Sequence, residues 1–279
     1  MGLFKWVAGG MAVAGGGAWL GFKVSPAPFA VPPDPGRDLG PVDLADGLPE
    51  PVRRYYEAVA LLPRVESAYA SGRGEYLLVQ AGPLKLWAPM RWRLYLQPGR
   101  QFRWEGELTW YGQPFIGGSE EIVNGEARFV LGWQTQTGEA IHKTEHTLLW
   151  LHTVMLCPSA LLTLPEVSWT AIDHVAARLS FPSANTHAPD DRWTFTLYFD
   201  PASATLTRLT THRFKETIGA FLPYQVRFGE RRPLGGTSLP GSLVSSWVDT
   251  PVAKLLVEQV RYNVPLPFAL LDEAQREGT

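Results

Sequence analysis

The residues with the clearest potential for chemistry are two histidines, His142 and His146, which lie four positions apart. On a helix this spacing places both imidazoles on one face, where they could bind a metal ion. The intervening residues do not form a His-Glu-x-x-His motif, Lys143 would repel a cation, and no third ligand is evident. We therefore interpret the pair as part of a polar helix face and predict neither a metal site nor a cofactor.

Nucleophilic groups are equally scarce. The single cysteine, Cys157, precedes Pro158 in an apolar context, where a thiol is usually buried and unreactive. Asp173 and His174 are adjacent, so in a strand they would point to opposite faces. No Gly-x-Ser-x-Gly motif is present. We predict no catalytic residue, and a hydrolase acting on lipids or envelope material is the least supported of the functions considered.

Aromatic residues are the most unusual feature of the sequence, which contains 11 tryptophans. Large aromatic side chains either fill a core or line a pocket for an apolar ligand, and the sequence leaves both alternatives open. The candidates for a pocket lining are Trp92, Trp104, Trp110, Trp133, Trp169, Trp193, Phe195 and Trp247.

Composition narrows the class of protein. Hydrophobic residues make up 45% of the chain, which is enough for a sizeable core and excludes a fully disordered protein. The 25 basic and 27 acidic residues nearly balance, so there is no electrostatic case for a nucleic-acid partner. One cysteine also excludes an intrachain disulfide.

The first 22 residues resemble a membrane segment. Between Leu3 and Phe22 the only charge is Lys5, and about 20 predominantly apolar residues are enough to span a bilayer as a helix. Lys5 and the amino terminus favour a cytoplasmic N-terminus, which would place the rest of the chain outside the cytoplasmic membrane. A cleaved signal peptide and a buried core helix are the alternatives.

The remainder of the chain divides into a linker and one domain. Residues 23–47 are rich in proline and glycine, which predicts an extended spacer. Residues 48–279 form the predicted soluble domain, beginning with a short helix over 50–61. Most of the chain beyond this helix has the alternating pattern of antiparallel strands with one apolar face, clearest over 192–200.

Two further signals complete the predicted fold. Asn124-Gly125 lies between two strand-like stretches and indicates a tight hairpin. A long helix is predicted from about Glu139 to Leu162, with a bend at Pro158. One long helix covering a large, curved antiparallel sheet is an α+β arrangement, a half-barrel whose aromatic face would leave a cavity.

Several motifs together resemble DUF6544 (DUF6920-like), a family of uncharacterised bacterial proteins. They are Leu-Pro-Glu-Pro-Val-Arg-Arg-Tyr at 48–55, Pro-Ser-Ala-Leu-Leu at 158–162, the segment 167–173, Leu-Pro at 239–240, and the segment 244–247. The similarity extends over about residues 48–264. The family has no assigned activity, but its fold resembles the curved sheet of lipoprotein-carrier (LolA-like) domains, which implies an apolar cavity.

These observations lead to one favoured function and one main alternative. The favoured function is a single-pass protein of the bacterial cytoplasmic membrane, with an extracytoplasmic domain that binds a lipid or other apolar ligand. The alternative is an accessory or structural subunit of a larger membrane complex, held beside its partners by the anchor. The sequence favours a binding or structural role over an enzymatic one without deciding it.

Overall fold

The computed structural model describes residues 19–59, 61–82, 84–182 and 192–268. Most of the predicted membrane helix therefore lies outside the described residues. Within the described part of the chain, no helix is long and apolar enough to cross a membrane.

The described residues of the domain form two α-helices, one 3₁₀ helix and fifteen strands. In chain order the elements are α1 (Glu50–Val59), β1 (Ala68–Ala81), β2 (Leu84–Gln97), β3 (Gln101–Trp110), β4 (Gln113–Val123), β5 (Glu126–Leu131), β6 (Gln134–Thr137), α2 (Glu139–Leu156), the 3₁₀ helix (Pro158–Leu162), β7 (Ser168–Ala171), β8 (Ala176–Pro182), β9 (Arg192–Phe199), β10 (Leu206–Lys215), β11 (Ala220–Phe228), β12 (Arg231–Leu234), β13 (Thr237–Pro240), β14 (Ser242–Trp247) and β15 (Thr250–Tyr262).

Thirteen of these strands form one antiparallel sheet, in the order β6-β5-β4-β3-β2-β1-β15-β14-β11-β10-β9-β8-β7. The strands β12 and β13 form a separate hairpin. Strands from both halves of the sheet, including β5 and β10, contact α2, so the sheet curves around this helix. The predicted α+β fold, a large curved sheet with one long covering helix, is confirmed for the domain.

Local sequence explains where the sheet turns. Asn124 and Gly125 join β4 to β5, and both have positive φ angles, 54° and 80°, as a two-residue hairpin requires. Between β9 and β10, the Asp200 carboxylate accepts hydrogen bonds from the backbone N–H groups of Ala202 and Ser203. The predicted hairpin at Asn124-Gly125 is therefore confirmed.

Helix α2 ends where proline requires it to end. The residue before a proline is sterically disfavoured in the helical region, and Cys157 accordingly has φ −127° and ψ 53°. The chain resumes as the 3₁₀ helix that begins at Pro158. Leu148, Leu151 and Met155 of α2 are buried on the side that faces the sheet.

The two faces of the sheet differ in chemistry because side chains alternate along each strand. On β2, Met90, Trp92 and Leu94 are almost fully buried on the inner face. On the outer face, Arg91 and Arg93 pair with glutamates directly opposite on β3, with N–O distances of 2.6 and 2.5 Å. The inner face of the sheet is thus apolar, and ion pairs join neighbouring strands on its outer face.

The linker, residues 23–47, lies against this outer face. The Phe29 ring packs under the guanidinium groups of Arg91 and Arg93, at 4.6 and 4.7 Å. Arg261 donates hydrogen bonds to the backbone carbonyls of Pro32 and Asp34. Through these contacts the segment is bound to the sheet as a strap.

Candidate functional site

A cavity of about 380 Å³ lies between the inner face of the sheet and helix α2. This volume is at the lower end of the range of about 300–1,000 Å³ that is typical of small-molecule sites. Its position follows from the curvature of the sheet, because one helix does not fill the space enclosed by strands on several sides.

The walls of the cavity are mostly apolar. Strands β1 to β5, β10, β11, β14 and β15 contribute side chains, and α2 closes the remaining side. The apolar lining residues are Leu78, Met90, Trp92, Leu94, Trp104, Leu108, Ile116, Phe129, Val130, Leu131, Leu148, Leu151, Met155, Val226, Leu243, Trp247, Val252, Ala253 and Leu255. Gly106 widens the cavity locally, since a Cβ atom there would collide with the Trp104 ring.

Three of the eight predicted pocket residues line this cavity, namely Trp92, Trp104 and Trp247. Phe195 is fully buried in the core, where its ring packs against Phe181.

The other four predicted pocket residues lie farther out. Trp169 is on the edge strand β7, edge-on to Tyr56. Trp193 contacts His146 and Phe221, whereas Trp110 and Trp133 are exposed at hairpin ends, Trp133 with 94% of its surface accessible. Alternation along a strand predicts which face a tryptophan occupies but not how far along the sheet the cavity extends.

A buried arginine is the principal polar feature of the cavity. Arg213, on the inner face of β10, is only 8% exposed and lines the cavity. Its guanidinium lies near the rings of Tyr224 and Trp247, at 5.2 and 5.4 Å. Among the described residues, its Nε has no hydrogen-bond partner, and no carboxylate forms an ion pair with the side chain.

Two glutamates lie in the same region. Glu145 of α2 is fully buried, and neither of its carboxyl oxygens has a hydrogen-bond partner among the described residues. Burial raises the pKa of Glu145 well above its ordinary value, and the nearby Glu120 adds to that effect. Burial also raises the pKa of Glu120, which lines the cavity. Both carboxyl groups are therefore biased towards the neutral form.

The histidines of α2 are held neutral by their surroundings. Burial, with a smaller contribution from Arg213, lowers the pKa of His152 to about 3, and this ring lines the cavity. Burial, followed by repulsion from His142, lowers the pKa of His146 to about 4. His142 and His146 share one helix face with ring centres 6.2 Å apart, but His146 packs edge-on to Trp193 instead of facing solvent. Among the described residues, no group of three or more His, Cys, Asp or Glu side chains is placed to bind a metal ion.

The remaining reactive side chains have structural surroundings. Cys157 is fully buried, and burial raises the pKa of its thiol, so the thiolate nucleophile is suppressed. The Asp173 carboxylate accepts a hydrogen bond from the backbone N–H of Val175 within the turn between β7 and β8.

Arg213, Glu120, Glu145 and His152 were not identified from the sequence. A signal for Arg213 does exist, because it lies an even number of positions from Leu209 and therefore shares the inner face of β10. The glutamates and His152 carry no such signal, since their burial depends on how the helix meets distant strands.

The exposed apolar side chains concentrate at one end of the sheet. Antiparallel order places the β1–β2, β3–β4, β5–β6, β10–β11 and β14–β15 turns at this end. The exposed residues on or beside these turns are Val79, Leu84, Trp110, Tyr111, Phe115, Leu131, Trp133, Ile218, Phe221 and Val248. We call this region the hairpin end. The chain leaves the predicted membrane segment here, since the Tyr111 N–H donates to the carbonyl of Gly21 at 2.8 Å.

A second, more open groove of about 670 Å³ lies along β9, β10 and β11. Thr194, Thr196, Thr210 and Thr211 contribute to its walls, which are as polar as they are apolar. This groove lacks the enclosure and the buried charge that distinguish the cavity under α2.

The fold and the site together define a class of protein in which a curved antiparallel sheet and one long helix enclose an apolar cavity with a buried ionisable cluster. The chain belongs to DUF6544, a family of unknown function, whose model matches residues 39–254. This confirms the family membership predicted from the sequence.

Two solved structures are similar to this chain at low identity. A DUF1329 family protein from Desulfovibrio piger has 9% identity and a TM-score of 0.44, with 81% of this chain and 95% of that chain covered. A LolA superfamily protein from Nitrosomonas europaea has 8% identity and a TM-score of 0.43, with 79% and 94% covered. No curated protein matches this chain.

Proposed function

We propose that this protein binds a lipid or another apolar ligand in the cavity between the sheet and helix α2. The observation that carries the proposal is the cavity itself, about 380 Å³ of space walled by aliphatic and aromatic side chains. Binding of an apolar ligand removes such surface from water, which lowers the free energy by about 25 cal/mol for each Å² buried.

The proposal includes a membrane anchor. The apolar segment between Leu3 and Phe22 serves as a single-pass helix, and the domain lies on the outer side of the bacterial cytoplasmic membrane. The contact between Gly21 and Tyr111 supports this arrangement, because it brings the segment to the hairpin end of the sheet. A lipid leaving the bilayer would meet the apolar hairpin end before it reached the cavity.

Site-specific photo-crosslinking in cells tests this function. A benzophenone amino acid is placed at position 255, which lines the cavity, or at position 256, which is exposed on the outer face of the same strand. We expect Leu255 replacement to yield an adduct with a lipid-sized molecule, identified by mass spectrometry of the peptide, and Leu256 replacement to yield none. Absence of any adduct at 255, or equal adducts at both positions, would contradict the proposal.

A second candidate function is that of an accessory subunit in a membrane complex. The exposed aromatic residues at the hairpin end favour it, because apolar patches of this kind also mark protein–protein contacts. Gentle extraction of the full chain followed by native mass measurement separates the two. Co-migration with a defined partner supports the subunit role, and a monomer argues against it.

A further inference from the structure

Arg213 places an unpaired positive charge inside a mostly apolar cavity. The residue is only 8% exposed, and the Nε atom of its guanidinium has no hydrogen-bond partner among the described residues. Taking a guanidinium out of water is costly unless a counter-charge or a set of acceptors replaces the lost hydration. In this structure the aromatic rings of Tyr224 and Trp247 offset only part of that cost.

The acidic residues near Arg213 do not supply the missing partner. Glu120, Glu145 and Glu216 are close enough to influence its charge, but none of them forms an ion pair with it in the described part of the chain. Glu145 is held towards the neutral form, so it can donate a proton in a hydrogen bond rather than act as a counter-ion. The guanidinium of Arg213 is therefore left without a paired anion among the described residues.

We propose that the ligand of this cavity is a single-chain amphiphile with a carboxylate head group, which pairs with Arg213 while its chain lies among Trp92, Leu148 and Leu255. This inference rests on the proposed function. The planar guanidinium fork matches a carboxylate in a bidentate pair. The modest volume of the cavity favours one acyl chain over two.

The single buried cation favours a head group with one negative charge. A phosphate monoester brings up to two negative charges at neutral pH, and the guanidinium of Arg213 can neutralise only one of them. A carboxylate brings one charge and can also accept a hydrogen bond from a protonated glutamic acid. His152, which lines the cavity in its neutral form, offers one further N–H donor.

The test uses the full chain in lipid nanodiscs and three photoactivatable probes that differ only in the head group. These are a palmitic acid, the matching hexadecanol and the matching monoalkyl phosphate, each with a mid-chain diazirine and a terminal alkyne. Labelled peptides from β2, α2 and β15 report occupancy of the cavity. We expect the acid to label them at least about tenfold more than the alcohol or the phosphate, the effect of one charge-assisted pair.

Two variants separate the role of Arg213 from general effects. Arg213→Met is expected to abolish the preference for the acid while retaining labelling by the alcohol, which also shows that the cavity is intact. Arg208→Met changes an arginine on the same strand that stacks on Tyr198 at 3.9 Å and does not line the cavity. It is expected to keep the wild-type preference.

Each remaining outcome overturns a defined part of the account. Equal labelling of the wild type by acid and alcohol contradicts the head-group inference and leaves the cavity function standing, whether or not Arg213→Met folds. Phosphate labelling equal to acid labelling contradicts the selection of a carboxylate. Absence of labelling of the cavity peptides by all three probes contradicts the proposed function itself.

Discussion

At the residue scale, the interior of this domain contains ionisable groups that a purely structural core would not need. Glu145, His152 and Arg213 are all buried, and each has at least one polar atom without a partner among the described residues. Unpaired buried polar groups of this kind reduce stability. Their presence beside a cavity is therefore better explained by a ligand than by packing.

Glu145 makes the stability of the domain depend on pH. Its folded-state pKa is raised, mainly by burial, so above the unfolded value the folded state retains a proton that the unfolded state has lost. The contribution of Glu145 to the free energy of unfolding is present at low pH and is lost as the pH rises towards the pKa of the folded state. Glu145→Gln removes this dependence. As the pH rises, the free energy of unfolding of the variant should therefore increase relative to that of the wild type by up to about 1.4 kcal/mol per pH unit.

Urea unfolding of both proteins between pH 5 and pH 8 measures this difference. Glu139→Gln, which changes an exposed glutamate on the same helix, is the matched control and should follow the wild type. Parallel stability curves for the wild type and Glu145→Gln would show that the carboxyl group is not held in the neutral form.

At the element scale, local patterns predicted most of the fold. The Asn124-Gly125 turn and the alternation over β9 are short-range signals, and both appear as predicted. Pro158 was predicted to bend one helix over 139–162, whereas α2 ends at Leu156 and a separate 3₁₀ helix follows, because the residue before a proline is disfavoured in the helical region. The binding of the linker to the outer face was not predictable in this way. It depends on where Arg91, Arg93 and Arg261 lie relative to a segment far away in the sequence.

Phe29 attaches the linker to two arginines of the outer face. Phe29→Ala should remove its contacts with Arg91 and Arg93, a loss of about 0.5–2 kcal/mol of local docking free energy. Hydrogen exchange of residues 27–37 should accelerate while the strands keep their protection. Val24→Ala, at an exposed position of the same segment, serves as the control, and equal exchange in both variants would contradict the strap.

At the scale of the whole molecule, the predicted anchor and the apolar hairpin end imply an orientation towards the bilayer. We expect a fluorophore attached at Trp133→Cys, at the hairpin end, to be quenched by spin-labelled lipids in nanodiscs. The same fluorophore at Ile172→Cys, between β7 and β8 at the opposite end of the sheet, should not be quenched. Cys157 is buried and should not compete for the label. Equal quenching at both positions would rule out this orientation.

The sequence could predict a cavity at this scale but not its contents. An aromatic core and an aromatic pocket use the same residue types, and only three of the eight candidate residues line the cavity. The position of Arg213 within an apolar enclosure emerges from long-range packing of the two halves of the sheet around α2. The periodicity of each strand's sequence does not predict this long-range packing.

The most direct test of the central claim is to fill the cavity and measure its occupancy. Leu255→Trp enlarges a side chain inside the cavity, whereas Leu256→Trp makes the same change on the outer face of β15. With the full chain in nanodiscs and the palmitic acid photo-probe, Leu255→Trp should reduce labelling of the α2 peptide several-fold, and Leu256→Trp should leave it unchanged. Undiminished labelling in Leu255→Trp would contradict ligand binding between α2 and the sheet.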